Sequence, residues 1–146
     1  MATPIGHSLI GIAIARRLGV RSPLGLAAAV VAANLPDADV FISYVRHRDP
    51  WKAHRTFSHT PGFALLAGLL LGASGVLRTH KQGPRDVVAD AMTGAALVGS
   101  HVLLDRVRLP YPPLTRRHGP SPGAYGLDAL VYGTLAFGLI ATAAEE

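Results

Sequence analysis

A chain of 146 residues is long enough to bury one hydrophobic core and has little left for a second, so a single domain over residues 1–146 is expected. The absence of cysteine excludes disulfides, thiolate zinc sites, iron–sulfur clusters and cysteine nucleophiles, which leaves imidazoles and carboxylates as the protein ligands open to a metal. The formal charge of +5 comes from 14 Lys and Arg in short clusters between apolar stretches, with no basic stripe and no interleaved aromatics, so nucleic acid is not expected as a partner.

In chain order, the first apolar run follows Pro4, is interrupted by His7 and closes at Arg16-Arg17; with no basic leader before it, it reads as a helix and not a secretory signal. Helix starts are announced by a hydroxyl followed by proline at Thr3-Pro4, Ser22-Pro23, Thr60-Pro61 and Ser121-Pro122, because the hydroxyl can cap an orphan N–H and proline at the first helical position loses nothing. A further start at Gly83-Pro84 completes five expected helices at 4–18, 23–34, 61–78, 84–107 and 122–144. No segment alternates as a strand does. The fold expected is therefore all-α, a bundle of about five helices. At a rise of about 1.5 Å per residue the last three are long enough to cross a hydrocarbon core of roughly 30 Å, 61–77 and 124–144 best of all, and the first two are too short. The alternative is a soluble bundle of Ala/Leu helices, favoured by Asp90, His101 and Asp128 inside the apolar runs. Glycines at 68, 72, 75, 94, 99, 133 and 138 suit close helix packing in lipid, and residues 110–123 read as a proline-rich ordered loop.

If neighbouring helices run antiparallel, the polar residues fall into place. His7 lies in the first turn of the first helix, Asp37 and Asp39 follow the second, His54 and His59 precede the third, His101 and Asp105 close the fourth, and Asp128 opens the fifth. All eight share one end of the bundle, here the near end. The far-end turns hold Arg, Lys, Gly, Ser and His80 with no carboxylate before Asp86.

Each motif has a plainer reading. Asn34-Leu35-Pro36-Asp37-Ala38-Asp39 also serves as an ordinary helix terminator, and a His pair in a loop is commonly only polar. His101 and Asp105 are more specific, because positions i and i+4 share a helix face, and an ionisable pair among Leu97, Val98, Leu103 and Leu104 is costly to bury without a further charge. Ser58 beside His59 is set aside as a nucleophile, since adjacent residues are not expected to make base-to-hydroxyl geometry. His47, His80 and His118 read as surface residues.

At these residues the chain resembles the YdjM-type family of membrane-bound metal-dependent hydrolases. The matching segments are Gly6-His7-Ser8-Leu9-Ile10-Gly11, Leu35-Pro36-Asp37-Ala38-Asp39, His54-Arg55-Thr56-Phe57-Ser58-His59-Thr60 and His101-Val102-Leu103-Leu104-Asp105, with looser matches at Leu109-Pro110-Tyr111-Pro112-Pro113-Leu114 and Gly126-Leu127-Asp128. Two departures are Gly6, where the family commonly has Thr, and the many arginines after Asp105. The resemblance implies a multi-pass inner-membrane helical protein with hydrolase activity and metal ligands at the matching His and Asp. The arrangement is also similar to zinc-dependent phospholipase C and related nucleases, by analogy of fold alone.

The expected function is metal-dependent hydrolysis of a phosphoester or lipid-linked anionic substrate, with membrane lipid as the chain's surroundings. The expected ligands are His7, Asp37, His54, His59, His101, Asp105 and Asp128, around Zn²⁺ foremost, Mn²⁺ or Fe²⁺ otherwise, in one ion or two. Asp39 is expected as base or as orienter of a ligand, and Arg55, with Arg106, as the holder of an anionic group. The rival is a non-catalytic metal-binding membrane protein, a structural site or a carrier. Eight Lys or Arg in the near-end loops against six at the far end place the site weakly toward the cytoplasm.

Overall fold

The computed structural model describes residues 3–54, 56–78, 83–106 and 122–144. Arg55, His80, Lys81, His118, Ser121 and the expected proline-rich loop, save Pro122 and Gly123, lie outside the described residues, as does Arg55's expected role. The described chain is all-helical: α1 Pro4–Arg17, α2 Pro23–Asn34, a 3-10 turn Leu35–Asp37, α3 Ala38–His47, α4 Pro61–Ser74, α5 Pro84–Arg106 and α6 Pro122–Ala144.

Proline opens α1, α2 and α4, but hydroxyl caps form only at two of them. Ser22 accepts the Gly25 N–H at 3.0 Å and Thr60 accepts the Phe63 N–H at 3.2 Å. Thr3 makes no side-chain cap; its own N–H donates to Asp128, which ties the start of α1 to α6.

Two helices depart from expectation. α4 stops at Ser74 instead of 78, because Gly75 turns left-handed at φ 66° and returns its N–H to Gly72. Its 14 residues rise about 21 Å, short of a bilayer core, so the expectation of a span over 61–77 fails. The unexpected helix is α3. Asn34, Pro36 and Asp37 read as breakers, yet Pro36 sits within the 3-10 turn, where its fixed φ is tolerated, and the helix resumes at Ala38. The α2–α3 rod, Pro23–His47, thereby becomes one of three stretches among the described residues long and apolar enough to cross a membrane, with Pro84–Arg106 and Tyr125–Thr142.

α4 packs most closely on α5; α1 lies between α2 and α6, and both α1 and α2 touch α5. The buried residues are mostly small: Ala15, Ala29, Ala32, Ala64 and Ala67 beside Val20, Leu77, Leu97 and Val98. The large ones face outward, among them Leu65, Leu69, Leu70, Met92, Leu130 and Phe137. Small inside and large apolar outside is the packing expected where the surrounding solvent is hydrocarbon, since helices then associate by close van der Waals contact and not by hiding leucines. At the far end, the buried Asp90 receives the Arg78 guanidinium, which also donates to the Leu18 carbonyl at the end of α1 at 2.8 Å.

Of the seven glycines expected to pack closely, Gly68, Gly72 and Gly94 do so at the α4–α5 contact, while Gly99 and Gly138 meet nothing and Gly75 serves the turn. A Cβ at Gly72 would lie 2.6 Å from the Ala91 nitrogen, and backbone cannot step aside as a side chain can. Gly72→Val is therefore expected to cost about 1–3 kcal/mol or more, read as a lowered unfolding midpoint in detergent, and Gly99→Ala to be neutral or stabilising by about 0.5–1 kcal/mol. Equal midpoints for the two variants would show that the α4–α5 contact is looser than described.

Candidate metal centre

His7 reaches the near end because Pro4 starts α1 one turn earlier, and its ring is 1% exposed. It stacks on His101 with centroids 3.7 Å apart and planes 15° from parallel. His101 is oriented by α2: its Nδ1 donates to the Ala33 carbonyl at 2.7 Å, one of the last-turn carbonyls that a helix end leaves without its usual partner. That bond fixes the tautomer, so Nε2 faces inward as an acceptor. The 3-10 turn presents Asp37, whose Oδ1 stands 3.3 Å from His101 Nε2 and 3.9 Å from His59 Nε2.

One turn of α5 below His101, Asp105 stands between the two sides of the site. Its Oδ1 is 3.4 Å from His7 Nε2 and its Oδ2 is 3.4 Å from His59 Nε2. The two remaining imidazoles belong to the segment that leads into α4, and Asp39 positions both. Its Oδ1 accepts from His54 Nδ1 at 2.7 Å, and its Oδ2 accepts from the Ser58 hydroxyl at 2.5 Å. Ser58 Oγ in turn stands 3.0 Å from His59 Nδ1. With its hydroxyl proton directed to Asp39, Ser58 is the acceptor for His59 Nδ1–H. Asp39 therefore holds one histidine directly and the other through a serine. Both carboxylate oxygens of Asp39 are thus engaged by neighbouring side chains.

The Nε2 atoms of His7, His54, His59 and His101 are all buried and make no hydrogen bond. Buried polar atoms seldom lack a partner, and of these four, three stand 3.3–3.4 Å from a carboxylate oxygen. Their spacing accounts for this. Donor atoms about 2.0–2.1 Å from one tetrahedral ion stand about 3.3–3.4 Å from each other, which is too long for a good hydrogen bond. The distances from Asp105 to His7 and to His59, each pair within one donor group, fall at that value, while Asp37 stands 3.9 Å from His59 in its own group and 3.3 Å from His101 in the other. Two groups have donor atoms all within 4.8 Å of one another, Asp37, His54, His59 and Asp105 in one, and His7, His101 and Asp105 in the other. The residues present therefore fit a divalent ion, with Asp105 common to both groups.

Asp128 stands in neither group. It is fully buried, accepts the Thr3 N–H and lies beside Gly6 and Tyr132, where it joins α1 to α6. Arg106, exposed at the end of α5, follows Asp105 directly. Sequence reasoning missed Ser58, the Ala33 carbonyl and Trp51, which sets its ring edge-on to His54 at 5.3 Å. Ser58 and His59 do come within hydrogen-bond distance, contrary to expectation, but in a relay to Asp39.

A family model described as YdjM inner membrane protein matches residues 1–114. No curated protein and no solved structure matches the chain.

Proposed function

This chain belongs to the YdjM inner membrane protein family, and from that premise we propose that it is a metal-dependent hydrolase acting on a phosphoester or lipid-linked anionic substrate at the near end of the bundle. The observation that carries the reading is the convergence of three buried, unbonded imidazole nitrogens, Nε2 of His7, His59 and His101, on the carboxylates of Asp37 and Asp105 at 3.3–3.4 Å.

His7, His101 and Asp105 would hold one ion and Asp37, His54, His59 and Asp105 a second. Mixed imidazole and carboxylate donors suit Zn²⁺ best, then Mn²⁺ or Fe²⁺. A divalent ion so held supplies Lewis acidity toward a phosphoryl oxygen and a nucleophilic water at neutral pH. Ala33 and Asp39 keep the Nε2 lone pairs of His101 and His54 turned to the site, and the Ser58 relay does the same for His59. Arg106, and Arg55 next to His54 in the sequence, supply cations for an anionic substrate. The excess of near-end Lys and Arg turns this end toward the cytoplasm.

The donor counts favour one second reading for one of the groups. Four protein donors close a tetrahedral site, as structural zinc does, whereas three leave a position for water or substrate. On that reading the four-donor ion only staples the 3-10 turn to α5, and the three-donor group carries the chemistry. A carrier is disfavoured, because the ionisable group deep in the far half of α5, Asp90, is engaged by Arg78.

Reconstituted, Zn²⁺- or Mn²⁺-loaded protein is expected to hydrolyse bis(p-nitrophenyl) phosphate or p-nitrophenyl phosphate, and His7→Ala to lower kcat by about 10²-fold or more. Stoichiometric metal with no hydrolysis of either probe would overturn the enzyme reading and leave the non-catalytic one.

A further inference from the structure

The described residues of 38–60 form a hairpin at the near end of the bundle that meets α5 through His59. α3 packs on the 3-10 turn, and the chain beyond it folds back along it: the Ser43 hydroxyl takes the Ala53 N–H at 3.0 Å and donates to the Asp49 carbonyl at 2.7 Å, while Asp39 receives His54 and Ser58. The described residues between His47 and Pro61 form turns and bends, not helix.

The Pro23–His47 rod is long enough to span, but its two halves differ. α2 has no charged residue and packs on α1 and α5; α3 carries Asp39, Arg46 and His47. An irregular segment exposing its backbone to hydrocarbon would leave N–H and C=O groups without partners, which a bilayer core does not tolerate. The return segment must lie outside that core, and its bonds to Ser43 and Asp39 bring α3 out with it. The depth of the site agrees. α5 has its midpoint at Ala95, so a helix centred on the bilayer carries His101 about 9 Å from the midplane, within the core, and Asp105 about 15 Å from it, at the boundary of a core of roughly 30 Å.

The outer surface of this hairpin is not one for bulk water. Phe41, Ile42, Tyr44, Val45, Trp51 and Phe57 are all exposed, Phe41 by 71%. Arg46, Arg48 and Lys52 lie among them, exposed, with no carboxylate paired to them among the described residues. Exposed aromatics beside cations complement a layer that is apolar on one side and negatively charged on the other.

We propose that the hairpin of residues 38–60 is seated in the headgroup layer of an anionic leaflet, its aromatic face at the acyl boundary and Arg46, Arg48 and Lys52 on lipid phosphates. The hairpin thereby sets the depth of His54 and His59 against the ligands on α1 and α5. The proposal rests on the membrane location of the chain, not on metal or hydrolysis.

Trp51 is the only tryptophan in the chain and lies on the hairpin, so the full-length protein carries its own depth probe. Its fluorescence would be read in vesicles of phosphatidylcholine with phosphatidylglycerol, containing lipids labelled with a quencher at the headgroup, the upper chain or the chain terminus. The expected result is strongest quenching from the headgroup and upper-chain labels, with little from aqueous iodide. In pure phosphatidylcholine, and in the Arg46→Gln, Lys52→Gln variant, iodide quenching should rise and lipid quenching fall. Strongest quenching from the chain terminus would place the hairpin in the core, quenching by iodide alone would place it in water, and protection from both would show a second copy covering it; each overturns the proposal. Lipid quenching indifferent to lipid charge and to the two substitutions would overturn its electrostatic half.

Discussion

Asp105→Asn is expected to remove metal from both groups at once, the largest functional effect available from a single substitution. Asp105 is the residue common to the two donor sets, with one oxygen toward His7 and the other toward His59. Asparagine keeps the volume, so the fold should survive, but a neutral amide is a poor ligand for a divalent ion and offers one oxygen where two are used. Asp39→Asn makes the contrast. It changes an orienting partner, not a ligand, and should weaken affinity by about 10–100-fold without removing the ions at saturating metal. Metal titration of the two variants, followed by the released protons or by a competing chelator dye, distinguishes them. Equal affinity for Asp105→Asn and the unmodified chain would contradict the role given to Asp105.

The largest effect on stability is expected from Arg78→Ala at the opposite end. Asp90 is fully buried and its carboxylate is met by Arg78, which also satisfies the terminal carbonyl of α1 at Leu18. Removing the guanidinium leaves a buried carboxylate without its arginine, a change that costs about 3–5 kcal/mol where a buried pair is broken. Replacing both members, as in Arg78→Met with Asp90→Leu, should recover most of that loss, because the charge is then gone rather than stranded. The unfolding midpoint in detergent reads both. An Arg78→Ala midpoint equal to that of the unmodified chain would show that the pair does not hold α1, α4 and α5 together at this end.

These effects lie at opposite ends of the same short bundle, and that polarity is legible in the sequence. The Pro-led helix starts and the sorting of His7, Asp37, Asp39, His54, His59, His101 and Asp105 to one end follow from local rules, since proline and i, i+4 spacing act over a single turn. What could not be read depended on longer-range contacts. α3 was hidden because Asn34, Pro36 and Asp37 favour a turn, and only the return segment's bonds to Ser43 and Asp39 show why a helix resumes there. Gly75 reads as a packing glycine in the sequence, but its positive φ ends α4. Adjacency to His59 says nothing of Ser58's chief partner, Asp39, which is 19 residues away. Asp128 shares the near end with the other carboxylates, yet it is engaged by the Thr3 N–H, an interaction across nearly the whole length of the chain. Chain order places residues at an end of a bundle; it does not say which of them face one another.

The most direct test of the metal centre is the metal content of detergent-purified, folded protein supplied with Zn²⁺ or Mn²⁺, measured per chain by elemental analysis. The account predicts about one or two divalent ions per chain, removed by strong chelators and restored on adding metal. Folded protein that takes up no stoichiometric metal would contradict it, and the four histidines and their aspartates would then stand as a polar network joining the helix ends.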